Sequence, residues 1–217
     1  MSHPPVIGPR DQAPALAALA AGRVIAVPGD GGYLLAARLD PGAVADGAAP
    51  APGPPPPPLT SSPPLMVVGH PTQALALTAD WSKEARMLAD RMWPGPLTVI
   101  VPARPQDGEA VVHITMPSAR PLRALCREGG PVATRPLRRA DGSAVNESHE
   151  VGQWVSATEV ALVIDGGMCG GPGPTVVDCT VSPPVVRHVG ALPESFVEGS
   201  LLMGARRRRW FARRSAS

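Results

Sequence analysis

Lysine is almost absent from this 217-residue chain: Lys83 is the only one among 20 basic residues, and Glu84 follows it. A Walker-type phosphate loop needs Gly-Lys-Ser/Thr and is thereby excluded. Aromatic residues make up 3% of the chain, so the core must be built from Val, Leu, Ile, Ala and Met. The three cysteines, Cys126, Cys169 and Cys179, are widely spaced and form no CxxC pair, which argues against a disulfide framework and a structural zinc site. No apolar run approaches the roughly 18 residues of a membrane-spanning helix. "APALAALAAG" has some signal-peptide character but flows into a strand pattern, and is read as a short helix stopped by Gly22. The expected location is the cytoplasm. GxSxG and HExxH are also missing, and with them the common hydrolase signatures.

Proline and glycine are abundant, at 29 and 23 residues. Apolar runs rich in β-branched residues suggest strands at "RVIAV", "YLLAARL", "LMVVG", "LTVIVP", "AVVHIT", "PVAT", "ALVID", "TVVDCT" and "PVVRHV". Between them, "TQALALTA" running towards "SKEARMLADRM", then "SARPLRALCREG" and "NESHEVGQWV" read as helices, with Thr72 and Ser118 as N-caps and Gly129 as a stop. The pattern predicts a single α/β (α+β) domain over residues 1–205, with a large, twisted, mixed parallel and antiparallel sheet flanked by helices. Residues 41–64 form a proline-rich, low-complexity segment read as a disordered loop. Residues 206–217 form a basic tail. Its six arginines, taken from a net charge of +2, leave the rest of the chain at −4. Arginines flanking Trp210 and Phe211 suit phosphates plus a stacked base, so tRNA or another RNA is an expected partner of the tail.

The stretch "RVIAVPGDGGYLLAARL" has an apolar run entering a glycine-rich turn, as phosphate-binding loops do. The dinucleotide fingerprint fails, because Leu34 stands where the third glycine is required and a strand follows instead of a helix. From Ala15 to Leu192 the chain instead resembles the YrdC/TsaC family of threonylcarbamoyl-AMP synthases. "VIAVPGDGGYLLA" is similar to that family's first motif, a strand followed by Thr-Asp-Thr-Val-Tyr-Gly-Leu. "PLMVVG" resembles its next strand, and "LADRMWPGPLTVIVPA" its most diagnostic stretch. "ITMPSARPLRALCREGGPVATRPL" follows its Arg-x-Pro, helix and Gly-Pro strand, while "VALVIDGGMCGGPGPTVVDCT" and "VRHVGAL" match its closing strands.

The resemblance implies an enzyme that condenses threonine, bicarbonate and ATP, with magnesium, into threonylcarbamoyl-adenylate and pyrophosphate for modification of a tRNA adenosine. The implied substrate-binding positions are Asp30, Tyr33, Thr115, Met116, Pro117, Thr134, Arg135, Thr175, Arg187 and His188; no catalytic residue and no metal ligand is assigned. Several of the family's polar groups are replaced. Its Lys-x-Arg falls in "PPPPPLTSS", its Ser-Ala-Asn at Arg135, Pro136 and Leu137, its first-motif threonines at Gly29 and Gly31, and its Arg before Met-Pro at Thr115. Pro174 replaces a serine. Two readings stay open: a divergent synthase in which Arg135, Arg138 or Arg139 supplies the missing charge, and a catalytically degenerate paralogue that binds a nucleotide or RNA in the same cleft.

Overall fold

In the computed structural model, residues 3–38, 65–105 and 110–203 are described. Ten strands form one sheet in the order β1-β8-β2-β3-β7-β4-β6-β5-β9-β10. They are β1 (Val6–Ile7), β2 (Ile25–Gly29), β3 (Gly32–Ala37), β4 (Leu65–Val67), β5 (Leu97–Pro102), β6 (Val111–Thr115), β7 (Val132–Pro136), β8 (Val163–Ile164), β9 (Thr175–Asp178) and β10 (Val185–His188). Hairpin pairs such as β2/β3 and β5/β6 are antiparallel, whereas β4/β6 and β5/β9 are parallel. The sheet is therefore mixed, as the strand and helix patterns predict.

Helices cover both faces. One face holds α1 (Ala13–Ala20) and α4 (Arg120–Gly129), whose Ala15, Leu19, Leu122 and Leu125 meet Ile25, Val27, Ala36, Val67 and Val132. The alternate residues of the same strands point the other way, since side chains change face at every step. There α3 (Lys83–Met92) packs Ala85, Leu88 and Met92 on Val99, Val101, Ile114 and Val177. On that face too, Val151 of α5 (Ser148–Trp154) meets Ala26, Leu35 and Val163. The short α2 (Pro71–Leu75) and a helix at 194–203, α6, complete the set. Trp93, which anchors the "WPGPLT" turn, donates its Nε1–H to the Leu97 carbonyl at 2.8 Å and is 9% exposed.

Some helix ends differ from the sequence expectation. His70, not Thr72, caps α2: its ring accepts the Thr72 N–H, while Gln73 accepts the His70 N–H. Ser118 is not the cap of α4, because its hydroxyl is drawn to Asp30. Of "TQALALTA" only Thr72–Leu75 is helical, within the five-residue α2. The stop at Gly129 holds, and Gly130 follows with φ +89°, a conformation open to glycine. The expected loop at 41–64 and tail at 206–217 lie outside the described residues. No helix among the described residues is long and apolar enough to cross a membrane.

Candidate functional site

The glycine-rich turn after β2 forms one wall of a cleft. Asp30 leaves β2 and accepts the backbone N–H of Ser118 at 3.1 Å and its hydroxyl at 2.5 Å. That pair ties the hairpin tip to the segment entering α4. Arg123, one turn into α4, donates to the carbonyls of Pro117 and Ser118 at 2.8 and 3.0 Å and fixes the same segment from behind. Opposite lies the loop 166–172. Together Gly29, Asp30, Ser118, Arg120, Cys169 and Gly170 border a cavity of about 400 Å³. The size suits a small organic ligand.

Polar groups behind the glycine loop hold it in place. The Tyr33 hydroxyl accepts the Gly166 N–H at 2.9 Å. Burial pushes its phenol up to about 12, so it stays neutral. Cys169 donates its backbone N–H to the Asn146 carbonyl at 2.8 Å. Burial, helped by the Asp165 charge, raises its thiol, which is therefore protonated and a poor nucleophile. The Asn146 side-chain oxygen is buried with no hydrogen-bond partner. A methyl built on Gly170 would touch that amide, so the unpaired oxygen sits directly behind the cleft wall.

A second polar surface lies on the sheet face that carries α4. Directly paired residues of adjacent strands share a face. One row runs Thr134, Leu65, His113, Ile100, Asp178. The next runs Val132, Val67, Thr115, Thr98, Val176, His188. Thr115 donates its hydroxyl to the Leu97 carbonyl at 2.9 Å, whereas the Thr98 hydroxyl beside it is buried and unpartnered. Burial lowers the pKa of His113, against the pull of Asp178, so its imidazole is neutral at pH 7. Burial also opposes the Asp178 charge, but bonds from Thr180 and Arg187 outweigh it and hold its carboxyl below the usual range. Arg187 makes two bonds to that carboxylate, at 2.6 and 3.0 Å.

The residues singled out from the sequence therefore separate. Asp30 borders the cleft, and Pro117 immediately precedes Ser118 in its wall. Thr115, Thr134 and His188 share the α4 face, and Arg187 is paired with Asp178. Met116 is buried in the α3 cluster and Tyr33 in the α5 cluster. The Thr175 hydroxyl is occupied by the Leu192 carbonyl and by two backbone N–H groups, a structural duty. Arg135 alternates to the face opposite Thr134, and its Nε is buried there without a hydrogen-bond partner. Arg139 is engaged by Glu150 at 2.6 Å. Sequence reasoning missed Asn146. Residues 138–144 form a small hairpin closed by an Arg138–Ala144 bridge, and the chain then reads Ser143-Ala144-Val145-Asn146. That spelling, close to Ser-Ala-Asn, was the available signal. The expected Lys-x-Arg position lies outside the described residues.

Residues 57–189 match the family model Sua5/YciO/YrdC, described as telomere recombination. The chain belongs to this family. Among its relatives, the threonylcarbamoyl-AMP synthase of Bacillus subtilis is 30% identical over 148 residues, covering 64% of this chain and 42% of that protein. The threonylcarbamoyl-AMP synthase of Pyrococcus abyssi is 30% identical over 134 residues, covering 58% and 39%. A doubly substituted P. abyssi Sua5 superposes with a TM-score of 0.74 at 26% identity, over 90% of this chain and 60% of that one. The chain thus spans about two fifths of the length of these curated relatives. The single YrdC-like domain and its mixed sheet agree with the resemblance read from the sequence.

Proposed function

We propose that this domain binds ATP with threonine and bicarbonate and forms threonylcarbamoyl-adenylate. In that reaction the threonine amine and bicarbonate give a carbamate and water. A carbamate oxygen then displaces pyrophosphate from the α-phosphorus of ATP. The observation that carries the reading is the buried, unpartnered Asn146 side-chain oxygen directly behind the cleft wall, with the unpartnered Thr98 hydroxyl on the α4 face as a second open group. A buried polar atom left unpaired costs about 1–3 kcal/mol, which a ligand can offset. Family membership supplies the identity of the ligands.

Magnesium fits this reading only as part of the ATP complex. Among the described residues no group of three or more His, Cys, Asp or Glu side chains could hold a metal, and the cleft itself offers the one carboxylate of Asp30. Magnesium binds characteristically through one or two carboxylates and the substrate phosphates. When bound it would neutralise phosphate charge; the protein's part is to orient the reactants.

The degenerate-paralogue reading also has an observation behind it. Arg187 is neutralised by Asp178, the Thr175 hydroxyl is consumed within the fold, and Gly29 and Gly31 bring no hydroxyl to the turn. One lost electrostatic donor commonly costs ~10²–10³ in rate. Turnover far below that of an intact relative is therefore expected. The test is incubation of the purified chain with ATP, threonine and labelled bicarbonate, scoring adenylate and pyrophosphate. Slow product that requires all three substrates supports the synthase. ATP binding without product supports the paralogue; no ATP binding overturns the synthase and the nucleotide-binding form of the paralogue. RNA contact through Arg206–Arg214 is a separate proposal from the sequence. It predicts that a chain ending at Ala205 loses tRNA affinity and its steep salt dependence.

A further inference from the structure

On the α3 face of the sheet, a cavity of about 230 Å³ lies between Leu75, Trp81, Trp93 and Met116, with Arg86 and Asp90 also in its lining. It is distinct from the cleft and has no part in the reading above. The two indoles stand 5.9 Å apart, tilted by 40°. Trp93 has its N–H satisfied by Leu97, while Leu75 is 43% exposed, so apolar lining faces water. The volume equals roughly eight liquid waters at about 30 Å³ each. It accepts one bulky side chain and is too small for a nucleotide.

The charges beside it decide the chemistry. Arg86 and Asp90 stand at i and i+4 on α3, a spacing that brings opposite charges together. Neither side chain makes an ion pair or hydrogen bond among the described residues. A cation and an anion thus border the same apolar cavity, each without an ion-pair partner among the described residues. A hydrocarbon would leave both unused, and a simple anion would use one and be repelled by the other.

We propose that this cavity binds an α-amino acid with a bulky apolar side chain. The side chain packs into the cavity against the indole pair, Leu75 and Met116, the carboxylate pairs with Arg86, and the ammonium group pairs with Asp90. Met116 makes the site relevant to the cleft. It lines this cavity, its carbonyl accepts the Gly95 N–H at 2.9 Å, and the residues after it, Pro117 and Ser118, lead into the cleft wall.

Calorimetric titration of the full chain with L-phenylalanine and L-leucine tests the proposal. Saturable one-site binding is expected, with threonine at most a weak competitor because it lacks the bulky apolar side chain. N-acetyl-L-phenylalanine amide, which lacks both charges, should bind about tenfold or more weakly, as should L-phenylalanine to Arg86→Ala and to Asp90→Ala. Lys83→Ala, on the same helix but outside this cavity, should bind as the parent does. The proposal is overturned by absence of binding at millimolar amino acid, by equal affinity for the blocked compound, by parental affinity in both charge variants, or by threonine competing as strongly as phenylalanine itself. Both charge variants change exposed helix positions to the best helix former, so folding is not at risk.

Discussion

At the scale of single residues, the unpaired Thr98 hydroxyl separates a ligand group from a structural one. Thr98 is 1% exposed, and its ladder neighbour Thr115 already uses the Leu97 carbonyl. Thr98→Val keeps the shape and removes an unsatisfied oxygen. Thermal unfolding should show equal or higher stability. ATP affinity, read by calorimetry, should fall. A loss of stability with unchanged affinity would assign the hydroxyl to the fold. His113 gives a second residue-level expectation. Burial depresses its folded pKa below 6.5, so below that pH the unfolded chain binds the extra proton. Stability should therefore decline as pH falls through 6.5, before the Asp178 carboxyl, held below 3.8, begins to contribute its own loss. Urea midpoints from pH 7.5 to 5 check this, and His113→Gln should flatten that part of the curve.

At the scale of elements, the cleft depends on how closely the β2–β3 hairpin approaches the glycine loop. A Cβ on Gly31 would come within 2.8 Å of the Gly173 Cα, a backbone atom with little room to yield. Gly31→Ala should push the two segments apart, at a cost of about 1–3 kcal/mol, and weaken ATP binding with it. The strands were readable because β-branched runs punctuated by Gly and Pro leave few alternatives, and "WPGPLT" could be seen as a rigid helix-to-strand turn. Cap identities were less readable, since the Ser118 hydroxyl goes to a carboxylate 88 positions away that no local pattern reveals. The same limit affected Arg135. Its charge is visible in the sequence, but its direction follows from the pairing of β7 with β3 and β4. Asn146 was hidden by the hairpin at 138–144, which breaks the spacing between its strand and its helix.

At the scale of the whole molecule, the order of strands along the chain and their order across the sheet disagree. β7 lies between β3 and β4, while β8 and β9 pair with strands on opposite sides of the sheet. The glycine-rich loop 166–172 is part of the short connection between β8 and β9. A nascent chain emerging from a ribosome therefore presents β2 and β3 long before β7 and β8 exist to cover their free edges. Joining such distant segments makes folding slow and leaves early strands open to mispairing. The cleft's far wall at 166–172 is made well over a hundred residues after the β2–β3 hairpin it faces, so a nascent chain that stops before it has no closed cleft. A ligand present during synthesis would then act only after this loop has emerged, on chains whose two cleft walls have met.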